Sequence, residues 1–286
     1  MKILNNYIPT TSPVFQKLEE VASSSDIVIF SGLPGVGKSL YIREFQLICK
    51  SLERPVDVIQ WDVARKAFET DYIQGHYPMG EGTVHDGLKL IAGSWLLDEV
   101  RLWAEQYMES DRLMLIEAPL VGHRFIELVK KNSDTELEEI LVSQRTKVVV
   151  PIPSTEVRVE IEAERARQVK EQAKVWSGAK PSVMLMLWKM TCEIANEFGK
   201  KIDLSGQPPY DPEVYDYVYS RILKHRNYVP LIIDELFEVP TTDEAELHNE
   251  HSLQADQETA NHYGRLVIEN VAKAKVKAIV DEWYRT

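Results

Sequence analysis

Apolar residues gather in five short runs, and between the runs they recur at the three-to-four-residue spacing of helices. The runs are Asp26-Ile27-Val28-Ile29-Phe30, then 56–61, 113–116, 147–152 and 228–233, each suited to a buried strand. Between them, Val14, Phe15, Leu18 and Val21 share a helical face after Ser12-Pro13, and Tyr41, Phe45, Ile48 and Leu52 share another. A long helix is expected from Leu88, with Ile91, Trp95, Leu102 and Trp103 near one stripe, followed by a helix through Phe125, Leu128 and Val129 and a short one through Leu137, Ile140 and Leu141. Pro151 predicts that the fourth strand frays or lies at an edge. Residues 154–176 read as a charged helix, Ser182–Phe198 as an apolar helix stopped by Gly199, and Asp211-Pro212 as the cap and first turn of another. Thr241-Thr242-Asp243-Glu244 has the form of a capping box that opens a helical tail. Periodicity fades between Asp71 and Gly87, where glycines mix with Tyr72, His76, Tyr77, Met79 and His85; the stretch reads as a mobile binding loop or a plain connection.

Strands alternating with helices imply an α/β fold with a mostly parallel five-stranded sheet, helices on both faces and a helical C-terminal extension. The expected division is residues 1–240 for the α/β domain and 241–286 for the extension. At 286 residues the chain can bury a sizeable core. A net charge of −12, from 33 Lys and Arg against 45 Asp and Glu, disfavours nucleic acid as a partner. Cys49 and Cys192 sit in apolar helical patterns without metal spacing and read as buried free thiols. No apolar run approaches the ~20 residues of a membrane helix, and the N-terminus turns polar too early for a secretory signal. A cytoplasmic protein with no membrane partner is expected.

The stretch Gly32-Leu33-Pro34-Gly35-Val36-Gly37-Lys38-Ser39 fits G-x-x-x-x-G-K-[ST], between the first strand and a helix as that motif requires. Glycines there let consecutive N–H groups point at phosphate oxygens, and the helix N-terminus adds partial positive charge. Lys38 would reach the β- and γ-phosphates and Ser39 would offer a hydroxyl to Mg²⁺. The plain alternative is a glycine-rich turn that binds nothing. Three apolar runs end at acids: Asp62 after the second, Glu117 after the third, Asp234-Glu235 after the fifth. Ligands of open α/β sheets bind at those carboxyl ends. Asp62 also suits a helix N-cap for residues 63–68.

On the phosphate loop, Asp62 and the arginine-bearing helix after the fourth strand, the chain resembles the P-loop kinases of small molecules: nucleotide kinases, gluconate-type kinases and zeta-toxin-like kinases. The resemblance covers roughly residues 26–237 in layout and is specific only in the phosphate loop. It implies a P-loop NTPase fold, ATP and Mg²⁺ as cofactors, and a small polar or hydroxyl-bearing acceptor; a homodimer is an allowed assembly. It implies nucleotide contacts from Gly32, Pro34, Gly35, Val36, Gly37, Lys38, Ser39 and Leu40, and metal contacts from Ser39, Glu117 or Asp234. Residues 154–176 correspond by position to a lid whose Arg158, Arg165 or Arg167 would reach ATP, and Asp62 to the acid that takes the acceptor's proton, with Glu117 as the substitute. The second strand is expected beside the phosphate-loop strand. No R-G-x-P-R signature follows the third strand, so a nucleotide acceptor is not supported. Two rivals remain: an ATPase using Asp234 for Mg²⁺ and Glu235 for water, and a nucleotide-dependent interaction protein presenting the tail face of Leu266, Val267, Val271, Ala274 and Trp283.

Overall fold

A computed structural model describes residues 6–80, 84–171, 181–237 and 251–286. Its centre is a five-stranded, all-parallel sheet of β1 (Ile27–Phe30), β2 (Val56–Gln60), β3 (Leu113–Glu117), β4 (Thr146–Pro153) and β5 (Tyr228–Ile233), in the order β2-β3-β1-β4-β5. All five apolar runs are strands. The expected neighbour of β1 is corrected, however: β3 lies between β1 and β2, which is an edge strand.

Successive residues of a strand face opposite sides, and both sides are covered. Ile27, Ile29, Met114, Ile116, Val148 and Val150 enter one core; Val28, Phe30, Leu113, Leu115 and Val149 enter the other. The second core is closed by α1 (Pro13–Ser24) and α2 (Lys38–Ser51), which pack together. Ser12 caps α1 by accepting from the Val14 N–H, and Pro13 supplies a first turn that needs no donor.

Between β2 and β3 the chain forms α3 (Trp61–Ala64), α4 (Asp71–His76) and α5 (Asp86–Tyr107). The stretch from Asp71 is thus partly helical: Thr70 caps α4, Ile73 and Tyr77 are buried, and Tyr77 stacks on His85 at 4.9 Å. Residues 81–83 lie outside the described residues. Trp95 and Trp103 are core, whereas Leu102 is exposed because it falls off the buried face of α5. After β3 the expected helix is replaced by a tight loop and a single 3-10 turn, Ile126–Leu128. Leu120, His123 and Phe125 hold positive φ (59°, 66° and 63°), a left-handed backbone that no helix can contain. The chain then forms α6 (Thr135–Val142), α7 (Thr155–Glu171), α8 (Pro181–Glu197) and α9 (Pro212–Ile222). Asp211 caps α9 as its sequence predicts, and Gly199, at φ +100°, follows the end of α8.

β4 neither frays nor stops at Pro151; it is an interior strand that runs on to Pro153 beside β5. Val149 accepts from the Ser31 N–H and Val148 donates to Asn227, so Val149 and Pro151 turn their main-chain groups toward β1. β1 pairs only as far as Val149, and the missing N–H of Pro151 therefore falls where β1 has already left the sheet.

The C-terminal segment folds back on the α/β unit. His251 accepts from the Val58 N–H, and the Leu253 N–H donates to Val58, so the segment pairs with the outer edge of β2. Helices α10 (Gln257–Asn270) and α11 (Lys273–Asp281) pack on α5, and α10 also on α4. Gly264 permits that approach, since a Cβ there would lie 2.8 Å from Ile73. Val267, Val276, Val280 and Trp283 are buried, each aliphatic side chain contributing about 1.5–3 kcal/mol. Leu266 and Ala274 face outward. The expected capping box at 241–244 lies outside the described residues.

Candidate functional site

β1 ends at Phe30, and the loop from Gly32 to Gly37 carries the chain into α2. Gly37 holds φ +85° at the start of α2, a conformation costly for any residue with a Cβ. At Gly32 a Cβ would stand 2.5 Å from the Tyr215 hydroxyl. That hydroxyl accepts from the Leu33 N–H at 3.0 Å and pins the start of the loop to α9. Leu33, Val36 and Leu40 bury their side chains in the two cores, so they can offer a ligand only main-chain groups.

What the loop offers is a row of donors. Among the described residues, the N–H groups of Gly35, Val36, Gly37 and Ser39 have no hydrogen-bond acceptor. Gly35 and Val36 are buried, and buried N–H groups without partners are rare. Lys38 is buried and curls over the loop, its Nζ donating to the Gly32 carbonyl at 2.7 Å and to Leu33 at 2.9 Å. Ser39, one residue on, is exposed. This is a nest of backbone dipoles beside an ammonium, and the species it suits is a multiply charged oxyanion.

Glu117 closes β3 directly beside this loop, in register with Phe30 on one side and Gln60 on the other. Gln60 Nε2 donates to its Oε2 at 3.4 Å. Burial pushes the Glu117 carboxyl above its ordinary value, the Lys38 charge pulls it down, and the Asp62 charge adds to the rise. Ser39 and Glu117 thus bracket the loop as oxygen donors fit to share Mg²⁺ with phosphate and water. No three His, Cys, Asp or Glu side chains among the described residues gather to hold a metal unaided.

Asp62 lies one strand further out. It sits in the first turn of α3 rather than at its cap, which is Gln60, so the N-cap expectation is corrected. Its side chain is 83% exposed and faces Arg65 Nε at 3.4 Å. Two strand spacings, about 10 Å, separate β2 from β1. Arg124, on the strained loop after β3, shares this neighbourhood: burial lowers its pKa, while the charge of Asp62 raises it and that of Arg65 lowers it.

Of Arg158 and Arg167, the two α7 arginines whose side chains are described, Arg158 is the one the fold brings to the loop. It is 1% exposed, donates from Nη1 to the Pro34 carbonyl at 3.1 Å and from Nε to Glu162 at 2.7 Å, and lies over the Tyr210 ring. Arg167 is exposed and pairs with Glu164 at 2.7 Å. The Arg165 side chain and residues 172–180 lie outside the described residues. Asp234 and Glu235 follow β5, which β4 separates from β1; Glu235 accepts from Ser12 Oγ at 3.0 Å, and Asp234 is exposed.

Sequence reasoning passed over several residues that shape the site. Tyr210, Tyr215 and Tyr219 form a series of tilted ring contacts that reaches the loop at Tyr215, and Met184 of α8 covers Gly35, where a Cβ would meet its Cε at 2.7 Å. The four-residue spacing of Tyr215 and Tyr219, which sets them on one face of α9, was the available signal. Nothing in the sequence pointed to Met184. Cys49 and Cys192 are buried free thiols, both pushed up to about 12 by burial, and take no part in the site. No helix among the described residues is long and apolar enough to cross a membrane. No protein-family model matches the chain, and no curated protein matches it.

Proposed function

We propose that the chain binds a nucleoside triphosphate with Mg²⁺ on the loop from Gly32 to Ser39 and passes the terminal phosphoryl group to a small acceptor at the outer end of β2 and β3. The observation that carries this reading is the set of unpartnered N–H groups at Gly35, Val36, Gly37 and Ser39 beside the Lys38 ammonium. Phosphate oxygens would satisfy donors that the folded chain leaves open, and Lys38 would exchange its two loop carbonyls for the β- and γ-phosphates. Mg²⁺ would neutralise charge on the phosphates and fix their geometry. Arg158, once a γ-phosphate is present, can turn from Pro34 toward the charge that spreads over the transferring group.

Transfer is favoured over hydrolysis by the placement of the acids. Glu235 accepts from Ser12, and β4 lies between β5 and β1, whereas Glu117 ends the strand paired directly with β1. Glu117 is beside it, and the polar shelf of Gln60, Asp62 and Arg124 extends outward from Glu117, where an acceptor hydroxyl could be held. In this arrangement Glu117 orients the phosphate end and Asp62 takes the acceptor's proton or holds its hydroxyl in line.

The experiment is ADP release with Mg-ATP in the presence and absence of hydroxyl-bearing metabolites, with products weighed by mass spectrometry. Acceptor-dependent ADP release with one phosphoryl group added to the acceptor is expected. Equal release without any acceptor would make the chain a hydrolase, and no ATP affinity would end the reading.

A further inference from the structure

α5 spans 22 residues, buries Trp95 and Trp103, and carries α10 and α11 packed against it. Its first turn depends on one side chain. His85 is the N-cap, and its Nδ1 accepts from the Gly87 N–H at 3.0 Å. The donor is a main-chain amide, so Nδ1 must keep its lone pair, and the proton of the neutral ring sits on Nε2.

Other helix caps here are hydroxyls or carboxylates: Ser12 for α1, Thr70 for α4, Asp134 for α6, Asp211 for α9 and Asp256 for α10. Those groups accept hydrogen bonds throughout the neutral range. An imidazole accepts only until it is protonated, and its ordinary titration falls within that range.

The His85 ring is also where three elements meet. Tyr77, buried at the end of α4, stacks on it at 4.9 Å and lies so close to α5 that a Cβ at Gly87 would stand 2.5 Å from the Tyr77 ring. Lys273, the first residue of α11, donates to the His76 carbonyl at 2.7 Å and holds its ammonium 6.0 Å from the centre of the Tyr77 ring.

A proton on Nδ1 would turn the acceptor into a donor facing a donor, and would set a cation at the positive end of the α5 dipole. The surroundings resist that charge. Burial, with the ammonium groups of Lys273 and Lys89, holds the His85 pKa below its ordinary value; Asp86 pulls the other way but is already paired with Lys89 at 2.8 Å. Lys277 on α11 also acts on Asp86 and pairs with Asp281. His76 is exposed, its Nδ1 3.0 Å from the Tyr72 carbonyl, and burial raises the Tyr77 phenol, which stays neutral.

We infer that His85 is an acid-sensitive latch: while neutral it caps α5 and keeps the end of α4 and the start of α11 seated on that helix, and on protonation it gives up the cap and lets the three part. The native fold binds the His85 proton less tightly than the unfolded chain does. The latch therefore contributes fully above about pH 6.5 and weakens as pH falls through the lower folded value. Because α10 and α11 brace α4 and α5, acid should loosen the C-terminal helices before the sheet opens.

Amide hydrogen exchange of the full chain at about pH 7.5 and about pH 5.5, corrected for the intrinsic pH dependence of exchange, tests this. In wild type, peptides from the start of α5 and from α11 are expected to lose at least about threefold in protection on acidification, with β1 and β3 unchanged. His85→Asn keeps a capping acceptor that does not titrate, and should hold its protection there to within about 1.5-fold. Equal losses in wild type and His85→Asn, no loss in wild type, or a loss shared equally by β1 and β3 overturns the inference. If His85→Asn does not fold, the imidazole nitrogen shifts of wild type decide the matter. The ring in contact with Tyr77 should be the Nε2–H tautomer near neutral pH and titrate below about pH 6.5; an Nδ1–H ring, or a midpoint at or above that value, overturns the inference.

Discussion

Phe30 and Glu117 stand opposite each other in the register of β1 and β3, so the last residue of the strand feeding the Gly32–Gly37 loop lies beside a carboxylate that burial holds above its ordinary pKa. A buried acid with a raised pKa weakens the fold when ionised and is kept where its charge is used. Glu117→Gln should lower phosphoryl transfer about a hundredfold or more while leaving ATP affinity within a few-fold, read by steady-state turnover and calorimetry. The native protein binds the Glu117 proton more tightly than the unfolded chain does. The group's contribution to stability is therefore full below about pH 4.5 and is lost as pH rises through the higher folded value. Glu117→Gln should accordingly melt higher than wild type at neutral pH, by about 2 °C or more, and lose that advantage toward pH 4.5. Equal melting temperatures at pH 7 would show that the Glu117 charge carries no such strain.

Lys38→Ala removes the ammonium that lies over the loop. Nucleotide affinity should fall by about ten- to a hundredfold, the worth of a charge-assisted hydrogen bond, as measured by ADP titration. Unchanged affinity would mean that the unpartnered N–H groups bind no phosphate with its help.

Tyr215→Phe deletes only the hydroxyl that accepts from the Leu33 N–H. The loop should loosen, with a loss of about 1 kcal/mol in stability and a several-fold weaker ADP complex. A variant that melts and binds like wild type would show that the loop is held without α9.

Arg158 and Arg167 share a helix and differ in what they touch. Arg158→Met should cut turnover at least about tenfold through lost charge at the transferring group, whereas Arg167→Ala should change it by less than about twofold. Equal effects of the two substitutions in steady-state kinetics would contradict the contact between Arg158 and the phosphate loop.

The strands and the glycine-rich turn into α2 were legible because their signals are local. A continuous apolar run such as Ile27–Phe30 has one good use in a sheet covered on both faces, and the glycines of the loop mark backbone turns directly. The order of the strands was not local. Whether β2 or β3 lies next to β1 depends on which crossover packs where, and no residue of Asp26–Phe30 records it. The helix expected through Phe125 failed because its apolar spacing is equally served by a strained turn that buries Leu120, Val121, Phe125 and Ile126 one after another. Pro151 suggests a frayed or edge strand, yet β4 is interior and runs on to Pro153, because the absent N–H falls where β1 has already left the sheet.

The pairing of residues 251–253 with β2 sets an order of events during synthesis. The edge of β2 is exposed when Gln60 leaves the ribosome, and its covering segment follows some 190 residues later, about 10–40 s at ordinary translation rates. Over that interval the nascent chain carries an open strand edge, and the site-bearing loops after β2 lack the helices that brace α4 and α5. The native state is therefore reached only after the last helices emerge. A stalled or prematurely released chain would carry a complete Gly32–Gly37 loop on a sheet still able to pair with a neighbour.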